Sequence, residues 1–264
     1  MADFTAKDVQ RLRQETGAGM MDAKKALTET EGDFDAARKK LREKGLAKAA
    51  TRSDRDNVEG VVAIADTDDA AVIVQLKCET DFSAKSDDFV ALAQKLADGV
   101  AADGPDATAA LASAIDDLKV TLKENIELGS IVHVPKGEGQ VIDTYLHEQD
   151  GRGVNAVITV LDGGTAELAH DISIHVAFTR PAYLTRDEVP QSAVDEERAT
   201  LEAITRKEGK PEAALDKIVE GKLGGWYRDQ VLIEQKFVRD EKQTITSLLG
   251  DVSIVRFEQV LIGS

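Results

Sequence analysis

Val72-Ile73-Val74-Gln75-Leu76, continued by Lys77-Cys78-Glu79-Thr80-Asp81-Phe82-Ser83-Ala84-Lys85, decides the fold, because its apolar strand recurs later in the chain. Val157-Ile158-Thr159-Val160-Leu161 repeats it at an offset of 85 (157 minus 72). The helix that follows recurs as well: Leu92-Ala93, Val100-Ala101 and Pro105 return as Leu168-Ala169, Val176-Ala177 and Pro181, at an offset of 76 (168 minus 92). The first copy therefore holds 9 residues (85 minus 76) that the second lacks, and they fall in the Cys78 to Asp88 region. In the second copy the connection is little more than Asp162-Gly163-Gly164-Thr165. Folding does not require the longer loop, and loops that folding does not require are where function tends to sit.

Outward from this repeat, a period of two begins at Val58 and predicts strands over 58–65 and 71–77, then a helix over about 86–102. Ala107 to Leu118 reads as a further helix that Val120 to Glu127 continues or follows with a new turn. Strands near 130–134, 139–147 and 154–161 lead into the second-copy helix, 165–178. After the break from Pro181 to Pro190, a charged helix runs from Ser192 to Glu208, and a second covers about 212–224 beyond Gly209-Lys210-Pro211. A turn this short holds two helices antiparallel, so the pair reads as a protruding αα-hairpin. Strands near 231–238 and 252–262 close the chain. Strands and helices in this order give an α+β core with a mixed or antiparallel sheet.

The N-terminal segment differs in kind. Thr5 is placed to N-cap a first helix whose apolar face is Val9 and Leu12 and which ends at Gly17 and Gly19. Met20, Met21, Ala23, Ala26 and Leu27 lie along a second helix, and Phe34, Ala37 and Leu41 along a third after the Glu31-Gly32-Asp33 turn. About forty residues is near the lower limit for a domain without staples, so the core must be economical and some apolar side chains face outward. Two adjacent methionines cannot both face inward fully. An exposed one beside Leu12 makes a soft patch suited to a partner helix. Gly45 to Asn57 reads as a helical tail becoming a linker, and the Lys39 to Lys44 run as a solvated helix face ahead of a binding patch.

With 264 residues there is material for one large or two to three small domains. Asp and Glu number 49 against 33 Lys and Arg, which argues against the phosphate backbone of a nucleic acid as a direct partner. Residues 1–55 hold 13 basic and 10 acidic side chains while the remaining 209 hold 20 and 39, a step that suggests a boundary near Asp56. Cys78 is the only cysteine, so no intrachain disulfide and no Cys/His metal spacing exist. No apolar run approaches a membrane span and the N-terminus lacks the pattern of a signal peptide, so a cytoplasmic location and no membrane partner are expected.

Catalytic chemistry finds little support. Glu79, Asp81, Asp87 and Asp88 could be recruited as a metal or acid-base cluster, but no histidine lies near them, and His170 and His175 are spaced to face different sides of a helix. His175 reads as a core histidine, and Cys78 as a small buried hydrophobe rather than a reactive thiol. No P-loop, nucleophile elbow or dinucleotide turn is present, and neither cofactor nor metal is expected. Phe82 either tucks into its own core or protrudes as an anchor for a partner's pocket, with Asp81 arriving beside it. Its absence from the second copy favours protrusion.

Thr16-Gly17-Ala18-Gly19-Met20-Met21-Asp22-Ala23-Lys24-Lys25-Ala26-Leu27 and Cys78-Glu79-Thr80-Asp81-Phe82 resemble the two signatures of the bacterial translation elongation factor Ts family. The resemblance extends through Glu124-Asn125-Ile126, Tyr145-Leu146-His147, Ile174-His175-Val176-Ala177, Lys210-Pro211 and Ile218-Val219-Glu220-Gly221. It implies a three-helix ubiquitin-associated-like N-terminal domain with its linker over 1–55, and a core of two related α+β subdomains. The first core subdomain would cover 56–138, and the second 139–186 and 227–264, with the hairpin over 187–226 as a coiled-coil arm. It further implies guanine-nucleotide exchange, without covalent chemistry, on the GTPase elongation factor Tu in its GDP-bound and nucleotide-free forms.

In the family, the loop matching Thr80, Asp81, Phe82 and Ser83 enters the GTPase near its Mg²⁺ site. Leu12, Met20 and Met21 match positions that grip a helix of the partner, and His147 a position that leans on another of its domains. Ser83 stands where family members often have Val, which would soften the wedge, and the C-terminal helix of some relatives is not present, from which a weaker contact is expected. The hairpin is left with several roles open, a homodimer among them. A rival of another class is a non-exchanging adaptor that holds its partner through the helical head.

Overall fold

The computed structural model describes residues 4–263. Helix α1 (Ala6–Thr16) opens with a reciprocal cap: Thr5 accepts from the Asp8 backbone N–H, and the Asp8 carboxylate accepts from the Thr5 N–H at 2.8 Å. Gly17, at φ 63°, ends it in the left-handed conformation. Helix α2 (Met20–Glu29) follows, and Asp33 then caps α3 (Phe34–Ala50) by accepting from the Ala36 N–H. Val9, Leu12, Ala23, Ala26, Leu27, Ala37 and Leu41 form the small core of these helices. Three of the seven are alanines, the economy that forty residues impose. Helix α3 continues straight through Gly45, where the expected tail begins. A β-carbon at that position would stand 2.5 Å from a Val120 methyl, so the glycine permits the close approach of α3 to the core helix carrying Val120.

Strands β1 (Glu59–Asp66), β2 (Ala70–Cys78) and β3 (Glu127–Pro135) form an antiparallel sheet in that order. The register of β2 on β3 shifts between Val74 and Leu76, and Gln75 fills the bulge. Its amide oxygen accepts from the Ser130 N–H, and its NH₂ donates to the Leu261 carbonyl. After β2 comes a single helical turn, α4 (Asp81–Ala84), then α5 (Asp87–Asp103), which lays Phe89, Leu92, Ala93, Leu96, Ala97 and Val100 on the sheet. The helix expected over Ala107 to Leu118 is divided. Pro105–Leu111 is a 3₁₀ segment, and α6 (Ala112–Leu122) follows, ending at Lys123 in the left-handed region at φ 62°.

A second sheet has the order β4 (Gln140–Gln149), β5 (Arg152–Asp162), β8 (Ser253–Leu261). Strands β4 and β5 are joined by Asp150-Gly151, with φ of 53° and 78°, the signature of a two-residue hairpin turn. Thr165 caps α7 (Ala166–Thr179), whose Ala169, Ile172 and Val176 pack with Val157 and Leu161 of β5. The repeated segments are thus a strand followed by a helix in both copies. Helices α8 (Gln191–Lys207) and α9 (Leu215–Gln230) form the hairpin, crossed by Arg198–Glu220 and Glu208–Lys222 ion pairs.

The strand expected over 231–238 is mostly something else. Leu232–Glu234 is a 3₁₀ turn, only Lys236–Phe237 is strand (β6), and it pairs with β7 (Asp240–Thr244) before α10 (Ile245–Leu249). Val231 and Leu232 are buried, so the apolar run that mimics a strand divides instead: Val231 anchors the base of the hairpin and Leu232 enters the core with Val157, Leu161 and Ile172.

By internal contacts the chain divides into two units. One comprises residues up to Pro135, Leu146–Ala156 and those from Val260; the other comprises Lys136–Tyr145 and Val157–Gln259. Among the described residues no helix is long and apolar enough to cross a membrane.

Candidate functional site

The β2–α5 connection is a knot tied by two carboxylates. Thr80, with φ −127° and ψ 152°, is the N-cap of α4, and its hydroxyl accepts from the Ser83 N–H while donating to Glu124 Oε1 at 2.6 Å. Glu124 Oε2 accepts from the backbone N–H groups of both Glu79 and Thr80 at 3.1 Å. The Glu79 carboxylate in turn accepts from the Asn125 N–H at 2.6 Å and pairs with Arg55 at 3.1 Å. Asn125, itself buried, donates its amide to the carbonyls of Ser53 and Arg55. Charge-assisted bonds of this kind are short and about twice as strong as neutral ones.

Inside this frame only one large side chain points out. Phe82 is 85% exposed, while Ser83 and Ala84 lie buried beneath the turn and the Ser86 hydroxyl closes it on the Ser83 carbonyl at 2.8 Å. The core alternative for Phe82 therefore does not hold. Ser83, expected within the wedge, is instead part of its footing.

Asp81 accepts from Lys85 Nζ at 2.8 Å, a bond that holds its carboxyl below the usual carboxylate range and raises the lysine. Cys78 is fully buried and donates toward the Thr80 carbonyl at 3.3 Å; burial pushes its thiol up to about 12, which makes it inert at neutral pH. Glu79 and Asp81 are both engaged by donors, and among the described residues no group of three or more His, Cys, Asp or Glu side chains is placed to hold a metal ion.

The remaining expected contact residues lie on other elements. Met20 and Met21 occupy the first turn of α2, 46% and 75% exposed. Neither turns fully inward, because Ala23, Ala26 and Leu27 already supply the inner face of α2. Leu12 departs from the expectation of a surface contact: it has 0% exposure and serves as the floor of the helical head. His147 sits near the end of β4 on the exposed side.

Sequence reasoning missed Glu124 as the clamp of the loop, since 44 residues separate it from Thr80 and no local pattern links them. It also passed over the Asp150-Gly151 turn, for which the Asp-Gly pair between two apolar strands was a sufficient signal. His175 is the core histidine expected. Its Nε2–H donates to Gln235 Oε1 at 2.9 Å, its Nδ1 accepts from the Val238 N–H at 3.2 Å, and burial lowers its pKa.

Known proteins resemble this chain in sequence over its whole length. The sequence profile of the family described as Elongation factor TS matches residues 79–264. Elongation factor Ts of Thermobifida fusca (strain YX) is 42% identical, over 100% of this chain and 99% of its own. That of Kineococcus radiotolerans is 42% identical over 96% of each chain, and that of Saccharopolyspora erythraea 42% identical over 100% of this chain and 99% of its own. The profile begins at Glu79, and the full-length matches extend the likeness across the helical head. On these grounds the chain belongs to the elongation factor Ts family of translation elongation factors.

Proposed function

We propose that this protein is the guanine-nucleotide exchange factor of the translational GTPase elongation factor Tu, acting without covalent chemistry and in the cytoplasm. Family membership supports the class of function. The observation that carries the mechanism is the exposure of Phe82 at 85% on a turn held from beneath by Glu124 and Glu79. An aromatic ring left in water on a rigid support is a binding anchor with its ordering cost already met.

In this mechanism the turn Thr80–Ser83 enters the partner near its Mg²⁺ site. Burying the Phe82 ring there yields about 1.5–3 kcal/mol, enough to hold apart elements that otherwise support the cation. Asp81 arrives with it as a carboxylate, which Mg²⁺-binding groups of the partner and the GDP phosphates both repel. Without the cation the diphosphate charge is uncompensated and GDP leaves. Linkage then requires that nucleotide weaken the factor's binding by the factor through which it weakens nucleotide binding, so abundant GTP releases the protein. Met20 and Met21, exposed on α2, would grip a helix of the GTPase, with Leu12 supporting them from the core, and His147 would touch a further domain. The helical head is proposed as ubiquitin-associated-like, and the two strand-helix copies as the centres of related subdomains over 56–138 and over 139–186 with 227–264.

The test is release of a fluorescent GDP from purified elongation factor Tu under excess unlabelled nucleotide, with and without this protein, over a range of Mg²⁺. Strong acceleration is the expected result. A folded, monodisperse protein that leaves the release rate unchanged would overturn the proposal and leave an adaptor held through its helical head.

A further inference from the structure

We infer that Lys85 is a positioning residue, which aims Phe82 by tying the α4 turn to the Asp150-Gly151 hairpin turn between β4 and β5. The inference rests on the exchange function proposed above and assigns part of its geometry to residues outside the inserted loop. A helix of one turn has no stability of its own, because nucleation is costly and a single turn returns few hydrogen bonds. Tertiary ties must therefore set how α4 sits. At its N-terminal end the tie is Glu124, which grips Thr80 and the two backbone N–H groups beside it. At its C-terminal end the tie is Lys85, whose Nζ donates to Asp81 Oδ2 at 2.8 Å and lies 3.1 Å from Asp150 Oδ2.

The two ties differ in what they fix. Glu124 holds the start of the turn and the buried Ser83 and Ala84 seat its underside, but neither fixes its C-terminal end from outside the connection. The Lys85–Asp81 contact is local, within the turn and its cap, and cannot by itself fix that end, since both groups move together. Asp150 comes from a separate hairpin whose turn residues are confined to positive φ, 53° at Asp150 and 78° at Gly151. It therefore supplies a fixed external point. With Lys85 caught between the two carboxylates, Asp81 is turned toward Asp150, and Phe82, the next residue, is directed away into solvent.

The Lys85 side chain is 33% exposed, so the tie adds little to global stability. Its effect falls on the fraction of molecules whose turn is already in the binding geometry. A partner's apparent affinity scales with that fraction, whereas the limiting rate of the fully formed complex does not.

The experiment compares the wild type with Lys85→Met, Lys85→Arg and Asp150→Gly, the last keeping a turn that tolerates positive φ. In the GDP-release assay, Lys85→Met and Asp150→Gly are expected to raise the half-saturating concentration by about 3- to 10-fold, with the rate at saturation within about twofold. Lys85→Arg is expected to restore the wild-type value. In the isolated protein, amide deuterium exchange of residues 82–86 should speed up at least about threefold in Lys85→Met and Asp150→Gly, with the melting temperature unchanged. An unchanged half-saturating concentration in Lys85→Met, alongside normal wild-type exchange, overturns the inference and leaves the exchange function standing. If the wild type itself does not stimulate release, the exchange function fails, and the deuterium exchange still decides whether Lys85 holds the turn.

Discussion

The β2–α5 and β5–α7 connections join the same pair of elements in two ways. The second spans residues 163–165 and is made of what a tight turn needs: Gly163 and Gly164 at φ 78° and 85°, then Thr165 to cap the helix. The first spans residues 79–86, contains no glycine, and makes a one-turn helix where the other has only a bend. Its extra residues bury little of their own apolar surface. Its polar ties reach distant parts of the chain, through Glu124, Asn125, Arg55 and Asp150. The contrast teaches that the long connection is built to hold a conformation, not merely to close a gap.

The strongest way to break the comparison is Phe82→Ala. With the ring 85% exposed, stability should be unchanged, while stimulated GDP release should fall by at least about tenfold, the equivalent of the ring's burial in a partner. A variant that keeps full activity would reduce the long connection to a structural insertion. Glu124→Gln attacks the frame in place of the tip. An amide whose oxygen accepts from the two backbone N–H groups loses the charge that strengthens those bonds and leaves the Thr80 hydroxyl proton without its acceptor, so denaturant unfolding should show a loss of about 1–3 kcal/mol. Exchange should fall with it.

The short connection is tested by Gly164→Ala. A β-carbon there would meet the Val252 methyls at 3.1 and 3.2 Å in a backbone conformation that only glycine adopts freely, so a loss of about 1–2 kcal/mol is expected. GDP release, measured below the melting transition, should not change.

The smallest effect concerns the helix after the short connection. His175 is held neutral by burial, with its Nδ1 accepting from the Val238 N–H and its Nε2–H donating to Gln235, so the folded protein resists a proton that the unfolded chain accepts near pH 6.5. The unfolded state then binds more protons below that value. Stability should be full above pH 6.5 and decline as pH falls beneath it, by at most about 1.4 kcal/mol per pH unit. Unfolding curves between about pH 7.5 and 5.5 check this against His175→Gln, in which the slope should flatten.

Much of the frame was legible from residues alone. The helix cap at Thr5, the turn at Glu31-Gly32-Asp33, the inward stripe of Val9, Leu12, Ala26 and Leu41, and the recurrent strand-helix pair all follow from local chemistry and periodicity. Where local signals misled, a distant partner had overruled them. Val231 and Leu232 have the composition of a strand, yet Val231 seals the base of the hairpin and Leu232 packs in the core beneath α7. Gly45 has the look of a helix end, yet it serves close packing against Val120 inside one.

The same division runs through the candidate site. Spacing and repeat comparison alone place an aromatic residue on an inserted connection, and a methionine pair at the start of a small helix, because both depend only on neighbours in the chain. Tertiary structure alone decided that Phe82 points into solvent while Ser83 and Leu12 are buried, that Glu124 grips Thr80, and that Lys85 reaches Asp150. Each of those outcomes turns on a side chain's surroundings in three dimensions. Burial and hydrogen bonding between residues dozens of positions apart leave no periodic trace in the sequence, since they are set by how the elements pack and not by what each element is.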